Sequence, residues 1–247
     1  MHYLKTFGIL LLLVFPPFFS TSPVNAGFIT ITTNTSLTVT DNSIKIKVIV
    51  TNDGDEPAYN AQIHVNENHR LQTSPVQQFL PVKECFEYEF QYDLLQTKHG
   101  RYPLLININY TDINQYPFTA ATGTYYTFGS DTVSQVFGIT RNISLSSHGS
   151  LPLLLKNMDD VSREITVQFV VPKELSILDK AKKITLPPRS ELSFTFGLRN
   201  FSALPGSRYQ AFFIIEYEDE SKHYSNIVPC FITIEEPKKF FEKYMWY

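Results

Sequence analysis

Apolar and polar residues alternate along most of this chain. In residues 44–50, Ile44, Ile46 and Val48 fall on one side and Lys45 and Lys47 on the other. In residues 84–92, Phe86, Tyr88 and Phe90 share a side opposite Cys85, Glu87 and Glu89. A period of two is that of a half-buried strand, because successive side chains point to opposite faces of a sheet. Similar runs at 28–32, 36–40, 58–65 and 102–110, and a weakly alternating one at 118–128, predict a first group of strands. A second group is predicted over 136–145, 151–155, 162–171, 192–196, 212–217 and 224–234. No stretch inside either group has the 3.6-residue period of an amphipathic helix, so the expected fold is all-β.

Two segments set the frame. Val50-Thr51-Asn52-Asp53-Gly54-Asp55-Glu56-Pro57 opens into Ala58–Val65, and Leu155-Lys156-Asn157-Met158-Asp159-Asp160 opens into 162–170. Each reads as a strand, an Asn/Asp turn and a second strand, a hairpin written twice. Asn and Asp bond their own backbone two residues on, and Gly54 tolerates positive φ. Other landmarks recur at one offset. Leu186-Pro187 follows Leu80-Pro81 by 106 positions, and Leu192, Phe194 and Phe196 follow Phe86, Tyr88 and Phe90 by the same 106. Copies of about 105 residues are modules rather than solenoid repeats, which run to 20–50 residues. The expected architecture is two tandem immunoglobulin-like β-sandwiches, at 27–130 and 131–236, with Gly129-Ser130-Asp131 at their boundary.

Composition narrows the function classes. The 247 residues include 20 Phe and 14 Tyr, most inside the strand runs, where each buried ring removes about 150–250 Å² from water. The net charge of -3, without a Lys/Arg stretch, disfavours a nucleic-acid partner. Residues 1–26 have a different character: Lys5, an apolar core from Phe7 to Val14, then small residues ending Val24-Asn25-Ala26. That order predicts an export signal, and hence a periplasmic, secreted or cell-surface location. Export permits disulfides, but Cys85 falls with outward glutamates and Cys230 with inward Ile232 and Ile234, so two unpaired thiols are expected.

The Asn-Asp-Gly-Asp-Glu-Pro-Ala-Tyr-Asn-Ala segment, the Leu-Pro before an aromatic strand and the Gly-Tyr run resemble two secreted families. The first copy resembles the bacterial cell-adhesion-related domain (CARDB). The second is similar to the Ig-like domain associated with alpha-galactosidases. The resemblance implies an extracytoplasmic, non-catalytic adhesion or spacer module.

Reactive chemistry has little support. Asn52, Asp53, Asp55 and Glu56 crowd oxygen atoms together but lack the spacing of a calcium loop, and they read as turn residues. The histidines lack zinc spacing, and no phosphate loop or nucleophile elbow occurs, so no metal, cofactor or catalytic residue is assigned. Glu216, Glu218, Asp219 and Glu220 read as a solvated hairpin tip. The tail 237–247 is basic and aromatic: Phe240, Phe241, Tyr244 and Trp246 are candidate partner-binding residues, or a peripheral membrane contact. The leading expectation is a non-enzymatic adhesion or scaffold protein engaging an envelope or extracellular protein. Two alternatives stand beside it. One is a periplasmic pilus-type chaperone donating an edge strand. The other is a carbohydrate-binding module for polysaccharide, which needs a solvent-facing row among Tyr59, Tyr125, Tyr126 and Tyr224.

Overall fold

The computed structural model describes residues 27–179 and 181–236. The export signal expected at 1–26 and the candidate residues Phe240, Phe241, Tyr244 and Trp246 lie outside the described residues. Every helix or strand among the described residues is a strand. The first eight are β1 (Ile31–Val39), β2 (Ser43–Asn52), β3 (Ala58–Glu67), β4 (Arg70–Thr73), β5 (Gln77–Leu80), β6 (Cys85–Asp93), β7 (His99–Thr111) and β8 (Pro117–Phe128). Then come β9 (Val136–Thr140), β10 (Ile143–Leu145), β11 (His148–Asn157), β12 (Arg163–Val170) and β13 (Leu175–Ile177). The last are β14 (Ala181–Leu186), β15 (Glu191–Asn200), β16 (Arg208–Glu218) and β17 (Lys222–Ile234).

Two sandwiches result. In the first, β1-β2-β6 pack across from β3, β4, β5, β7 and β8; in the second, β9-β11-β15-β13 pack across from β10, β12, β14, β16 and β17. The alternation explains the first core directly. Ile44, Ile46, Val48 and Val50 of β2 are fully buried against Ile63 and Val65 of β3 and Leu104, Ile106 and Ile108 of β7. On the outer side of the same strand Lys45 and Lys47 meet Glu89 and Glu87 of β6. These exposed pairs add little stability, so the strand is held by its apolar side. The second core repeats the scheme with Leu151, Leu153 and Leu155 of β11, Phe196 of β15 and Phe213 and Ile215 of β16.

The two Asn/Asp turns are not β-hairpins. β2 pairs with β1 and β6, whereas β3 pairs with β4, β5 and β7; β11 and β12 likewise lie in opposite sheets. The turn carries the chain across the sandwich, and a side chain replaces the missing ladder bonds. Asn52 is fully buried, donates from Nδ2 to Glu56 O (2.8 Å) and Leu80 O (3.3 Å), and accepts from Gly54 N (3.1 Å). Asn157 repeats this, donating to Val161 O, Leu186 O and Pro187 O and accepting from Asp159 N. The recurrence of Leu-Pro at one offset thus reflects a shared contact, the strand-end carbonyl that each buried asparagine holds. The neighbouring acids cap the first strand: Asp53 Oδ2 accepts from Thr32 Oγ1 and Asp55 Oδ1 from Phe28 N, both at 2.6 Å.

Candidate functional site

The sandwiches meet along one polar and aromatic seam. Its backbone is a two-residue parallel bridge, Lys222 opposite His99 and His223 opposite Gly100, which joins the two sheets into one of ten strands. Gly100 has φ +152°, and a Cβ there would lie 2.0 Å from His223 O, so only glycine allows this approach. Thr132 Oγ1 accepts from Arg101 N (3.2 Å) and donates to His223 O (2.8 Å), and Ser225 Oγ donates to Arg101 O (3.0 Å).

Side chains extend the bridge. The His223 ring, 6% exposed, stacks on Tyr102 with centroids 4.1 Å apart, and Tyr102 stacks on Tyr126 at 5.5 Å. Glu218 Oε1 lies 3.2 Å from His223 Nδ1; Glu216 Oε1 lies 3.3 Å from Nε2, in ion-pair range but not aligned for a hydrogen bond. Lys98 Nζ crosses from the first sandwich to Glu218 Oε2 and Asp219 O, both at 2.7 Å. That ammonium, with His223, holds the Glu218 carboxyl below its usual range. Burial, then Glu218 and Glu216, push the Tyr102 hydroxyl up to about 12. Behind Tyr126 the fully buried Glu67 accepts from Tyr126 OH (2.6 Å), Gln96 Nε2 (2.7 Å) and Arg70 Nε (3.0 Å).

The strand β8 carries the rest of the junction. One of its faces completes the first core through Tyr126, Ala120 and Phe128. On its other face Gly123 lies against Phe212 and Ile227, Tyr125 OH accepts from Ile227 N, and Thr119 meets Glu174. Phe212 and Ile214 of β16 are buried but belong to neither core. A notch of about 80 Å³ places Ile214 and Glu216 beside Tyr102, Pro103 and Leu105. A wider groove of about 550 Å³ beside it is lined by Glu164, Thr166, Lys183, Glu216, Glu218 and His223.

Some expected positions fall where the sequence placed them and others do not. Asp219 and Glu220 lie at the turn of the β16–β17 hairpin, as expected, with Glu218 and Glu220 exposed. Glu216 and Glu218 in addition flank His223, and Asp219 caps the turn through Ser221 N and Lys222 N. The hairpin Glu218–Lys222 sets Glu218 opposite His223 in register, a pairing that the turn signal at 219–221 already contained. Tyr59, Tyr125, Tyr126 and Tyr224 do not line up toward solvent. Tyr126 is buried, Tyr125 lies in the seam, and Tyr224 stacks on Tyr217 at 4.7 Å. Cys85 is exposed and Cys230 buried, both as free thiols. Among the described residues no cluster of three His, Cys, Asp or Glu side chains is arranged to hold a metal ion.

No family model matches the chain, and no curated protein matches its sequence. Solved structures overlay it only loosely. A Salmonella alpha-2-macroglobulin aligns over 82% of the chain at 7% identity and TM-score 0.32, and a red sea bream transglutaminase over 84% at 10% and 0.29. A protein of unknown function from Porphyromonas gingivalis aligns over 83% at 9% identity and 0.33, with 99% of that protein covered. The chain spans 16% of the macroglobulin and 31% of the transglutaminase. Overlays at this level transfer neither activity nor partner.

Proposed function

We propose that this is a non-catalytic exported scaffold or adhesion protein that presents two Ig-like sandwiches in one set orientation to an envelope or extracellular protein. The supporting observation is the seam. Lys98, Glu218, His223, Tyr102, Tyr126 and Glu67 are directed at one another across and behind the junction. Groups engaged in this way fix how the two sandwiches sit against each other. The CARDB-like pattern of the first copy adds the extracytoplasmic setting and the adhesive class. The test is capture from envelope extracts on the immobilised chain, paired with small-angle scattering of the free protein. A stoichiometric partner and a single rigid arrangement are expected; independently tumbling sandwiches would overturn the scaffold role.

One observation favours the chaperone as a second reading. β8 pairs only with β7 among the described residues, so its other edge carries no strand. A strand open on one edge can accept another by addition. Against it, Thr119, Gly123 and Tyr125 of β8 already pack on the second sandwich. Fimbrial-type subunits released stoichiometrically from the capture would reverse the ranking.

A further inference from the structure

Glu174 is a fully buried carboxyl in the loop between β12 and β13. Its carbonyl oxygen takes the amides of Phe201 and Ser202, which anchors the loop in the second sandwich. Its side chain crosses to the first, where Oε1 lies 3.0 Å from Thr119 Oγ1 on β8. The same hydroxyl lies 3.0 Å from Asn109 Oδ1 on β7. Oε2 is buried with no hydrogen-bond partner among the described residues.

A hydroxyl has one proton, so Thr119 cannot donate to two acceptors at once. An ionised Glu174 would leave one of those oxygen pairs without a hydrogen between them, and Oε2 without a donor. Turning the Asn109 amide over would free the Thr119 proton for Glu174, but Oε2 would still have none. A buried carboxylate with no better donors than a shared hydroxyl and its own amide is poorly compensated for its lost hydration, and such groups take up a proton instead. We propose that the junction carries a proton on Glu174, whose neutral carboxyl donates through Oε1 to Thr119 Oγ1 while Thr119 donates to Asn109 Oδ1, and that this proton helps hold the sandwiches together.

The surroundings set the sign. Burial pushes Glu174 above the usual carboxylate range, against the pull of its own amide, Thr119 and the adjacent Lys173. Tyr110 of β7 and Tyr209 of β16, the other titratable groups facing it, are raised by burial and stay neutral. A raised carboxyl stabilises the joined state fully below its unfolded pKa, and that contribution is lost as pH rises through the folded value. His64 of β3, lowered by burial and by Lys173, acts in the opposite sense and weakens the fold as pH falls. Between the usual carboxylate and thiol ranges the decline with rising pH therefore belongs to Glu174; Cys230, raised by burial, adds to it above the thiol range, and the lowered His64 contributes an acid limb.

Infrared difference spectra of the full chain against Glu174→Gln at neutral pH should show a protonated carboxyl stretch that the variant lacks. Denaturant melts from about pH 5 to about pH 9 should show an alkaline decline of up to about tenfold in the folding equilibrium per pH unit, flattened in Glu174→Gln. A missing band, or an unchanged alkaline limb in the variant, overturns the proposal. Should Glu174→Gln fail to fold, Thr119→Val decides: losing the acceptor must move the carboxyl band, and an unmoved band counts against the chain of donors. The site belongs to the junction on which the scaffold role rests, yet the band reads the carboxyl itself. Scattering at one pH tests the orientation separately, so either can fail alone.

Discussion

Replacing Asn157 with alanine removes the donor to Val161 O, Leu186 O and Pro187 O and the acceptor for Asp159 N. Each buried group left without a partner costs about 1–3 kcal/mol, and some of these carbonyls can reach water. Asn157→Ala should therefore lose about 3 kcal/mol, or about 6–12 °C in Tm for a chain of this size. Asn52→Ala should behave alike, since Asn52 holds Leu80 O in the same way. A thermal melt of each variant checks this; a loss under about 0.5 kcal/mol would mean that the turn backbone alone suffices. The cysteines make a second prediction at this scale. Burial in the second core pushes the Cys230 thiol up to about 12, whereas Cys85 is exposed. Only the thiolate reacts, so iodoacetamide should label one thiol in the folded chain and two after unfolding. Two labels under native conditions would show the second core to be open.

At the scale of elements, strand alternation was legible wherever one face is buried and the other wet, as in β2 and β6. It was faint where both faces are covered. Residues 118–128 alternate weakly because β8 closes the first core with one face and meets the second sandwich with the other. The same cause produced a signal that could have been read. Ala211-Phe212-Phe213-Ile214-Ile215 in β16 is a continuous apolar run, the mark of a strand buried on both sides. The sheet change after β2 and β11 was hidden, since an Asn turn can close a hairpin or carry the chain across a sandwich, and buried bonds decide which. Gly100 was legible only as turn punctuation, although its approach to His223 O needs a missing side chain. Gly100→Ala should lose about 2–4 kcal/mol by forcing β7 from β17. Amide exchange at 99–101 and 222–224 should speed up while both cores stay protected. Unchanged protection there would show that the bridge does not bind the sheets.

At the scale of the molecule, the question is whether the sandwiches fold as one unit or as two neighbours. The sequence named two modules but could not join them, because Thr119, Glu174 and Ile214 belong to no repeated pattern and meet only in space. Ile214 is the decisive residue. It is buried, absent from both cores, and faces Tyr102, Pro103 and Leu105 of the first sandwich. A charge placed there would be desolvated against Tyr102, Pro103 and Leu105 and set beside Glu216, so the sandwiches would part before either core opened. Ile214→Glu should therefore turn one cooperative calorimetric transition into two, the second-sandwich transition keeping its enthalpy because Phe213 and Ile215 still point inward. A single transition shifted downward would mean that Ile214 supports the second core. Two transitions already present in the unmodified chain would mean that the seam contributes too little to couple the sandwiches, leaving a tether where the scaffold role needs a brace.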